Sequence, residues 1–174
     1  MPRLDENQAE CRLLTFKEGA LSALAHDLEL AVTRFTIEVS AGLGVDARFD
    51  ARSLEVLHAL RDGKPTAALS DDDKRKIERS IVDEVLDANR HPEIRLRAGA
   101  TAEGDGFLLK GELTLCGRTR PLEIRARPEG ARLVAEVVLH QPDFGIKPYR
   151  ALLGALKVRA DVQIRVAVPW PLPG

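Results

Sequence analysis

Aromatic side chains are scarce in this chain: five Phe, one Tyr and one Trp make up 4% of its 174 residues. So few rings leave little with which to build a base-stacking surface. Charge of one sign is also lacking. Lys plus Arg number 26 and Asp plus Glu 27, a formal net charge of -1 at pH 7. That near balance removes the whole-chain electrostatic case for a nucleic acid or an anionic membrane as partner. No run of about 18 apolar residues occurs, so no integral membrane segment is expected. Cys11 and Cys116 show no C-x-x-C spacing, which argues against paired thiols or a zinc knuckle. The opening MPRLDENQAECRL carries acids where a signal peptide needs basic residues followed by an apolar stretch, so a cytoplasmic location with reduced cysteines is expected. No G-x-S-x-G elbow, phosphate-cradling glycine loop, H-E-x-x-H or EF-hand pattern is present.

What is present is alternation. Hydrophobic residues are 44% and charged residues 30%, the balance of a globular fold. The length suits one domain over residues 1–174. Val158, Ala160, Val162, Ile164, Val166 and Val168 share one parity, with Arg159, Asp161, Gln163 and Arg165 on the other. This is the period of a strand that is packed on one face and wet on the other. Leu133–Leu139, Leu122–Ala126, Leu109–Leu115 and Ile94–Ala98 repeat the pattern, separated by turn signals at Gly104-Asp105-Gly106, Cys116-Gly117 and Pro128-Glu129-Gly130. Five such runs predict an antiparallel meander. Upstream, Leu28, Leu30 and Val32 switch parity to Phe35, Ile37 and Val39, which predicts a bulge near Thr33-Arg34. Val45, Ala47 and Phe49 form another run, and Leu14 and Phe16 mark a short opening strand.

Ser70 followed by Asp71, Asp72 and Asp73 is a helix N-terminus: the hydroxyl caps a free amide and the acids complement the dipole. Ile77, Ile81, Val82, Val85 and Leu86 then give one apolar stripe, predicting a main α-helix over about residues 71–88. Shorter helical segments are expected at Tyr149–Leu156 and around Ser53–Leu60. The fold class is therefore mainly β, about eight antiparallel strands closed as a barrel or stacked as a sandwich, with one main helix over an opening or outside a wall. At eight strands a barrel interior has room for a small ligand.

His26-Asp27 is a candidate general base or metal ligand, and equally a polar pair where a strand begins. His140 and Asp143 form half of a metal site if His26 joins them, or a turn held by Asp143. His58 and His91 have no companion at useful spacing. Arg95, Arg97, Arg118, Arg120, Arg125 and Arg127 are spread across neighbouring strands, where Glu93, Glu112, Glu123 and Glu136 make cross-strand charge pairs the better reading than a basic face. No catalytic constellation emerges, and an aliphatic interior is ordinarily solid core.

The segments HPEIRL at His91–Leu96, GELTLCGRTRP at Gly111–Pro121, DFGI at Asp143–Ile146 and VRADVQI at Val158–Ile164 resemble the YceI-like family in order and spacing, and FDARSLEV at Phe49–Val56 resembles one of its strand ends. The hairpin at Gly111–Pro121 is the most specific of them, and the likeness runs from roughly Phe16 to Val168. The family's arginine- and aromatic-rich segment before the first motif is replaced here by SDDDKRKIERSIVDEVLDAN. The resemblance implies a lipocalin-like antiparallel barrel and a non-enzymatic role: binding, sequestering or carrying an isoprenoid or other long-chain amphiphilic lipid, without a cofactor. It also makes a homodimer a reasonable expectation. On that reading Leu113, Leu115, Leu122, Ile124, Val137, Leu139, Val158, Val162 and Ile164 line the interior, with Phe144, Tyr149 and Leu152 shaping a mouth and Tyr149 or Arg150 meeting a polar head. Two other readings stay open: a small barrel enzyme or metal-binding protein using His26, Asp27 and His140, and a cavity-free partner-binding or stress-response module.

Overall fold

A computed structural model of the chain describes residues 1–19, 26–151 and 156–174. Among the described residues there are fifteen strands and one main helix. The chain opens with β1 (Arg3–Asp5), β2 (Glu10–Thr15) and β3 (Lys17–Glu18), followed by β4 (Asp27–Val32), β5 (Phe35–Val39) and β6 (Gly44–Asp50). A 3-10 turn at Ala51–Ser53 leads into β7 (Leu54–Arg61) and β8 (Lys64–Thr66). Helix α1 (Asp71–Ser80) continues as a π turn over Ile81–Val85. The long strands β9 (Glu93–Glu103), β10 (Gly106–Leu115), β11 (Arg118–Glu129) and β12 (Arg132–His140) come next. After a 3-10 turn at Gln141–Phe144, the chain ends with β13 (Arg150–Ala151), β14 (Leu156–Val158) and β15 (Asp161–Pro169).

Twelve strands form one antiparallel sheet in the order β1-β5-β6-β9-β10-β11-β12-β15-β2-β4-β7-β8, and β13-β14-β3 form a small second sheet. The run β9-β10-β11-β12-β15 is the expected meander. The fold is mainly β, antiparallel and curled, with one main helix. Its strand count exceeds the expected eight because β1, β8 and the three strands of the small sheet are too short for alternation to show in sequence, because β4 and β5 are two strands and not one, and because β7 reads as helix.

Among the described residues no ladder joins β1 to β8, so the curled sheet is left open along one seam. The seam is stitched at one end by main-chain and side-chain bonds. The Thr33 N–H and hydroxyl both donate to the Ser53 carbonyl (3.1 and 2.9 Å), and the Arg34 N–H donates to Ser53 Oγ at 3.0 Å. Ser53 Oγ itself donates to the Asp50 carbonyl at 2.8 Å. These bonds tie β4 and β7 to β5 and β6 across the gap. Leu4, Ala9, Phe35 and Ile37 are buried in the apolar core.

Three sequence expectations change here. Thr33-Arg34 is no bulge within one strand: the chain leaves the sheet there, and β4 and β5 pair with different neighbours far apart in the strand order. The actual bulge lies in the β4–β7 ladder, where Glu29 faces His58 but Leu30 faces Val56, leaving Leu57 as an extra residue. That extra residue breaks the period of two and gives Leu54, Leu57 and Leu60 a helix-like spacing, which is why Ser53–Leu60 reads as helix although it is β7. The expected helix at Tyr149–Leu156 is instead strand at Arg150–Ala151 and at Leu156–Val158, and residues 152–155 fall outside the described segments.

The single C-terminal strand expected from Val158 to Val168 is divided. β14 belongs to the small sheet and pairs with β3, while β15 joins β12 and β2 in the large one. On the opening strand the packed parity is that of Cys11, Leu13 and Thr15, not that of Leu14 and Phe16. The glycine of the hairpin motif has a steric reason. A Cβ on Gly111 would run into the Arg97 carbonyl and crowd Ala98, so β9 and β10 approach closely only if that residue has no side chain.

Helix α1 carries the expected cap in full. The Asp73 N–H donates to Ser70 Oγ at 3.1 Å, and the Ser70 N–H donates to Asp73 Oδ2 at 3.4 Å. These bonds, Ser70 foremost, hold the Asp73 carboxyl below its ordinary value. The helix ends sooner than its apolar stripe, because Ile81–Val85 winds as a π turn in which the Leu86 N–H reaches the Ile81 carbonyl at 2.9 Å.

The outer face of the sheet carries the charge pairs. Arg95 clamps Asp46 with both Nε (3.0 Å) and Nη2 (2.6 Å), and its hydrogen bond keeps the Asp46 carboxyl below its ordinary value. Lys110–Glu123, Arg125–Glu103 and Arg165 with Glu129 and Glu136 complete the pattern. The expected cross-strand pairing is present for Arg95 and Arg125, although their partners, Asp46 and Glu103, are acids other than those expected. Which acid faces which arginine depends on strand register, a long-range property.

Candidate lipid cavity

The inner parity of the sheet encloses a cavity of about 510 Å3. Its long wall is Leu113 and Leu115 from β10, Leu122 and Ile124 from β11, Val137 and Leu139 from β12, and Val162 and Ile164 from β15. Leu13, Leu28 and Leu30 continue the wall across β2 and β4, with Cys11, Val32 and Leu54 at the end where the seam is stitched. The fourth side is the helical segment, which presents Ile77, Ile81, Val85 and Leu86. The π turn has a consequence here: an i, i+4, i+5 spacing puts Ile81, Val85 and Leu86 on one side, where a regular helix would begin to rotate them apart. Helix and sheet therefore face one another across the hollow.

Polar atoms enter the wall through a small set of side chains. Thr15 closes β2, His26 precedes β4, Gln141 follows β12 and Tyr149 precedes β13. Thr15 stands opposite Leu28, and His140 opposite Asp161 at the start of β15, so all four lie toward one end of the sheet. Lys76 and Ser80 add to the wall from α1. Tyr149 is exposed, which opens this end to water, and Lys76 on α1 is exposed as well. The Gln141 amide is engaged, its Nε2 donating to the Arg159 carbonyl at 3.0 Å. Cys11 is buried, and burial pushes its thiol up to about 12, so it faces the cavity as a neutral, weakly polar group.

Of the residues expected to line an interior, Leu113, Leu115, Leu122, Ile124, Val137, Leu139, Tyr149, Val158, Val162 and Ile164 stand on this wall. Phe144 does not. It is buried in the apolar core at the end of a 3-10 turn, and Gly145, with φ of 70°, redirects the chain so that Ile146 takes the wall position. Leu152 lies outside the described residues. The wall residues that sequence did not single out are mainly those of β2, β4, β6 and β9 and the helical stripe. The parity of Leu28 and Leu30 and the spacing of Ile77 and Ile81 carried the signal, but neither says which hollow they face.

His26 and His140 do not converge. His26 is on the cavity wall, whereas His140 is exposed, outside the lining, and pairs through Nδ1 with Asp161 Oδ1 at 2.6 Å. Asp27 accepts the Lys17 N–H at 2.8 Å, and the Asp143 carbonyl accepts from Arg120 Nε at 3.1 Å. His58 pairs with Glu29 at 2.7 Å. Among the described residues no group of three His, Cys, Asp or Glu is placed to hold a metal ion. No described helix is long and apolar enough to cross a membrane.

A family model described as the YceI-like domain matches residues 13–169. The chain belongs to the YceI-like family. Solved structures agree on the fold. Burkholderia cenocepacia BcnA superposes with a TM-score of 0.65 at 14% identity, covering 95% of this chain and 98% of that one. A polyisoprenoid binding domain from Saccharophagus degradans, implicated in plant cell wall breakdown, gives 0.60 at 11% identity over 95% and 94%. The Campylobacter jejuni YCEI protein gives 0.54 at 11% identity over 76% of each chain. No curated protein matches the sequence. At these identities the likeness is one of YceI-like architecture.

Proposed function

We propose that this chain binds the apolar tail of an isoprenoid-type amphiphile inside the curled sheet and carries or sequesters it without chemical change. The observation that carries the reading is a cavity of about 510 Å3 whose walls are aliphatic along the sheet and helix and polar at one water-facing end. That volume falls in the range of about 300–1,000 Å3 typical of small-molecule sites. Leu, Ile and Val walls offer dispersion and desolvation but no hydrogen bonds, which suits a flexible hydrocarbon whose shape varies. Thr15, His26 and Tyr149 stand where a head group would leave the hollow. A structural neighbour described as a polyisoprenoid binding domain supports the same ligand class.

Mass spectrometry of an organic extract of the purified protein tests this directly. An apolar-tailed lipid bound in stoichiometric amount is the expected result. Protein that is ligand-free and also takes up no geranylgeraniol overturns the reading. Val162, buried on the wall, supplies the matching variant. Val162→Trp fills the hollow with an indole, so uptake should be lost while a cooperative unfolding transition is kept. Undiminished uptake by that variant would remove this face of β15 from the binding site.

A further inference from the structure

Among the described residues, the polar side chains on the cavity wall, apart from the Cys11 thiol, are Thr15, His26, Lys76, Ser80, Gln141 and Tyr149. All of them can donate a hydrogen bond, one is a cation, and none is a carboxylate. Residues 20–25 and 152–155 are Ala, Leu, Ser and Gly only, so no acid enters from those segments either. The chain as a whole has 27 acids against 26 Lys and Arg, which makes this one-sided wall a local property.

The acids nearest Lys76 on its own helix are already engaged. Asp73, whose carboxyl feels the Lys76 charge, is bound to Ser70 in both directions of the capping box. Asp72 pairs with Arg75 at 2.5 Å, and Glu78 Oε1 accepts the Val56 N–H at 2.8 Å. Lys76 is exposed yet contributes to the wall, the arrangement in which methylenes cover apolar surface and the ammonium stays in water at the rim. The His26 imidazole donates an N–H in either protonation state. A cation at the edge of low-dielectric walls has its field focused into the mouth.

We infer that the head group of the bound amphiphile is an oxyanion, a carboxylate or a phosphate, recognised at Lys76 with hydroxyl and imidazole donors from Thr15, Ser80, Tyr149 and His26. This rests on the lipid-binding reading and deepens it: the tail selects for length and the wall's polar end selects for head charge. A charged oxygen gains a short, charge-assisted bond there, and a cationic head would meet Lys76 with like charge.

Four probes with one tail separate head from tail: geranylgeranyl phosphate, geranylgeranoic acid, geranylgeraniol and geranylgeranylamine, titrated into the full chain by calorimetry. Both oxyanions should bind about tenfold more tightly than the alcohol, the equivalent of one charge-assisted hydrogen bond, with the amine weakest. The ratio of phosphate to acid affinity then identifies which oxyanion the site prefers. In Lys76→Gln the oxyanion preference over the alcohol should fall below about threefold, and Lys76→Arg should retain it. An alcohol that binds as tightly as the two anions, or a preference untouched by Lys76→Gln, overturns the head-group assignment while leaving the lipid carrier standing. Failure of all four probes to bind overturns both.

Discussion

Cys11 sits on the cavity wall with its thiol pushed up from an ordinary 9.0 to about 12 by burial, against the pull of neighbouring Arg12. The folded chain therefore keeps this proton at a pH where the unfolded chain gives it up. The stability this contributes is complete below pH 9.0 and is lost as pH climbs from there toward about 12. Urea unfolding across pH 9–11 should show the wild type losing up to about 1.4 kcal/mol per pH unit relative to Cys11→Ala. Parallel curves for the two proteins would mean that the thiol is reached by solvent. Cys116 is raised as well, first by burial and then by the Asp87 charge, but is only half-buried, with its Sγ donating to the Leu86 carbonyl at 3.3 Å. Alkylation at pH 8 should accordingly mark Cys116 and spare Cys11.

The helical segment closes the side of the hollow that the sheet leaves uncovered, and three side chains hold it there. Ser70 and Asp73 fix where α1 begins. Glu78 fixes where it docks, since β8 pairs only with Ala59–Arg61 and leaves the earlier part of that edge of β7 unladdered. The Val56 N–H on this edge is buried and donates to Glu78 Oε1 at 2.8 Å. Removing the cap in Ser70→Ala should cost about 1 kcal/mol. Glu78→Ala should cost more, about 1–3 kcal/mol, because it strands a buried backbone donor. Denaturant melts of the two variants settle the order. A smaller loss for Glu78→Ala would show that apolar packing of Ile77, Ile81 and Val85 alone seats the helix.

For the molecule as a whole, the cavity makes affinity a function of tail length. Each methylene moved from water into the wall contributes about 0.8 kcal/mol, while association costs about 4–15 kcal/mol. One isoprene unit, about 4 kcal/mol, only reaches the bottom of that range, whereas three or four, about 12–16 kcal/mol, reach its upper part. Displacement of a fluorescent lipid by prenyl alcohols of increasing length should show affinity rising steeply to about three or four units. It should level off once about 510 Å3 is filled. A series flat in length would mean that the tails lie on the surface.

Alternation alone was enough to place the strands β9, β10, β11, β12 and β15 and to say which side chains of each face inward, because side-chain direction in a strand has a period of two and needs no partner to be read. The start of α1 was equally legible, since capping by Ser70 and Asp73 is a local affair. The short strands β1, β3, β8, β13 and β14 were not, having too few residues to show a period. β7 was misread because its bulge at Leu57 is defined only against the opposite strand. The wall positions of Leu113, Leu122, Val137 and Val162 follow from the same parity, whereas the place of Phe144 depends on how Gly145 turns the chain. Whether the inward faces would meet or stand apart belonged to tertiary structure alone. That separation depends on how twelve strands curl, where the seam at Ser53 is stitched and how far the helix is held from the opposite wall. Each of these is set by contacts between residues far apart in the chain.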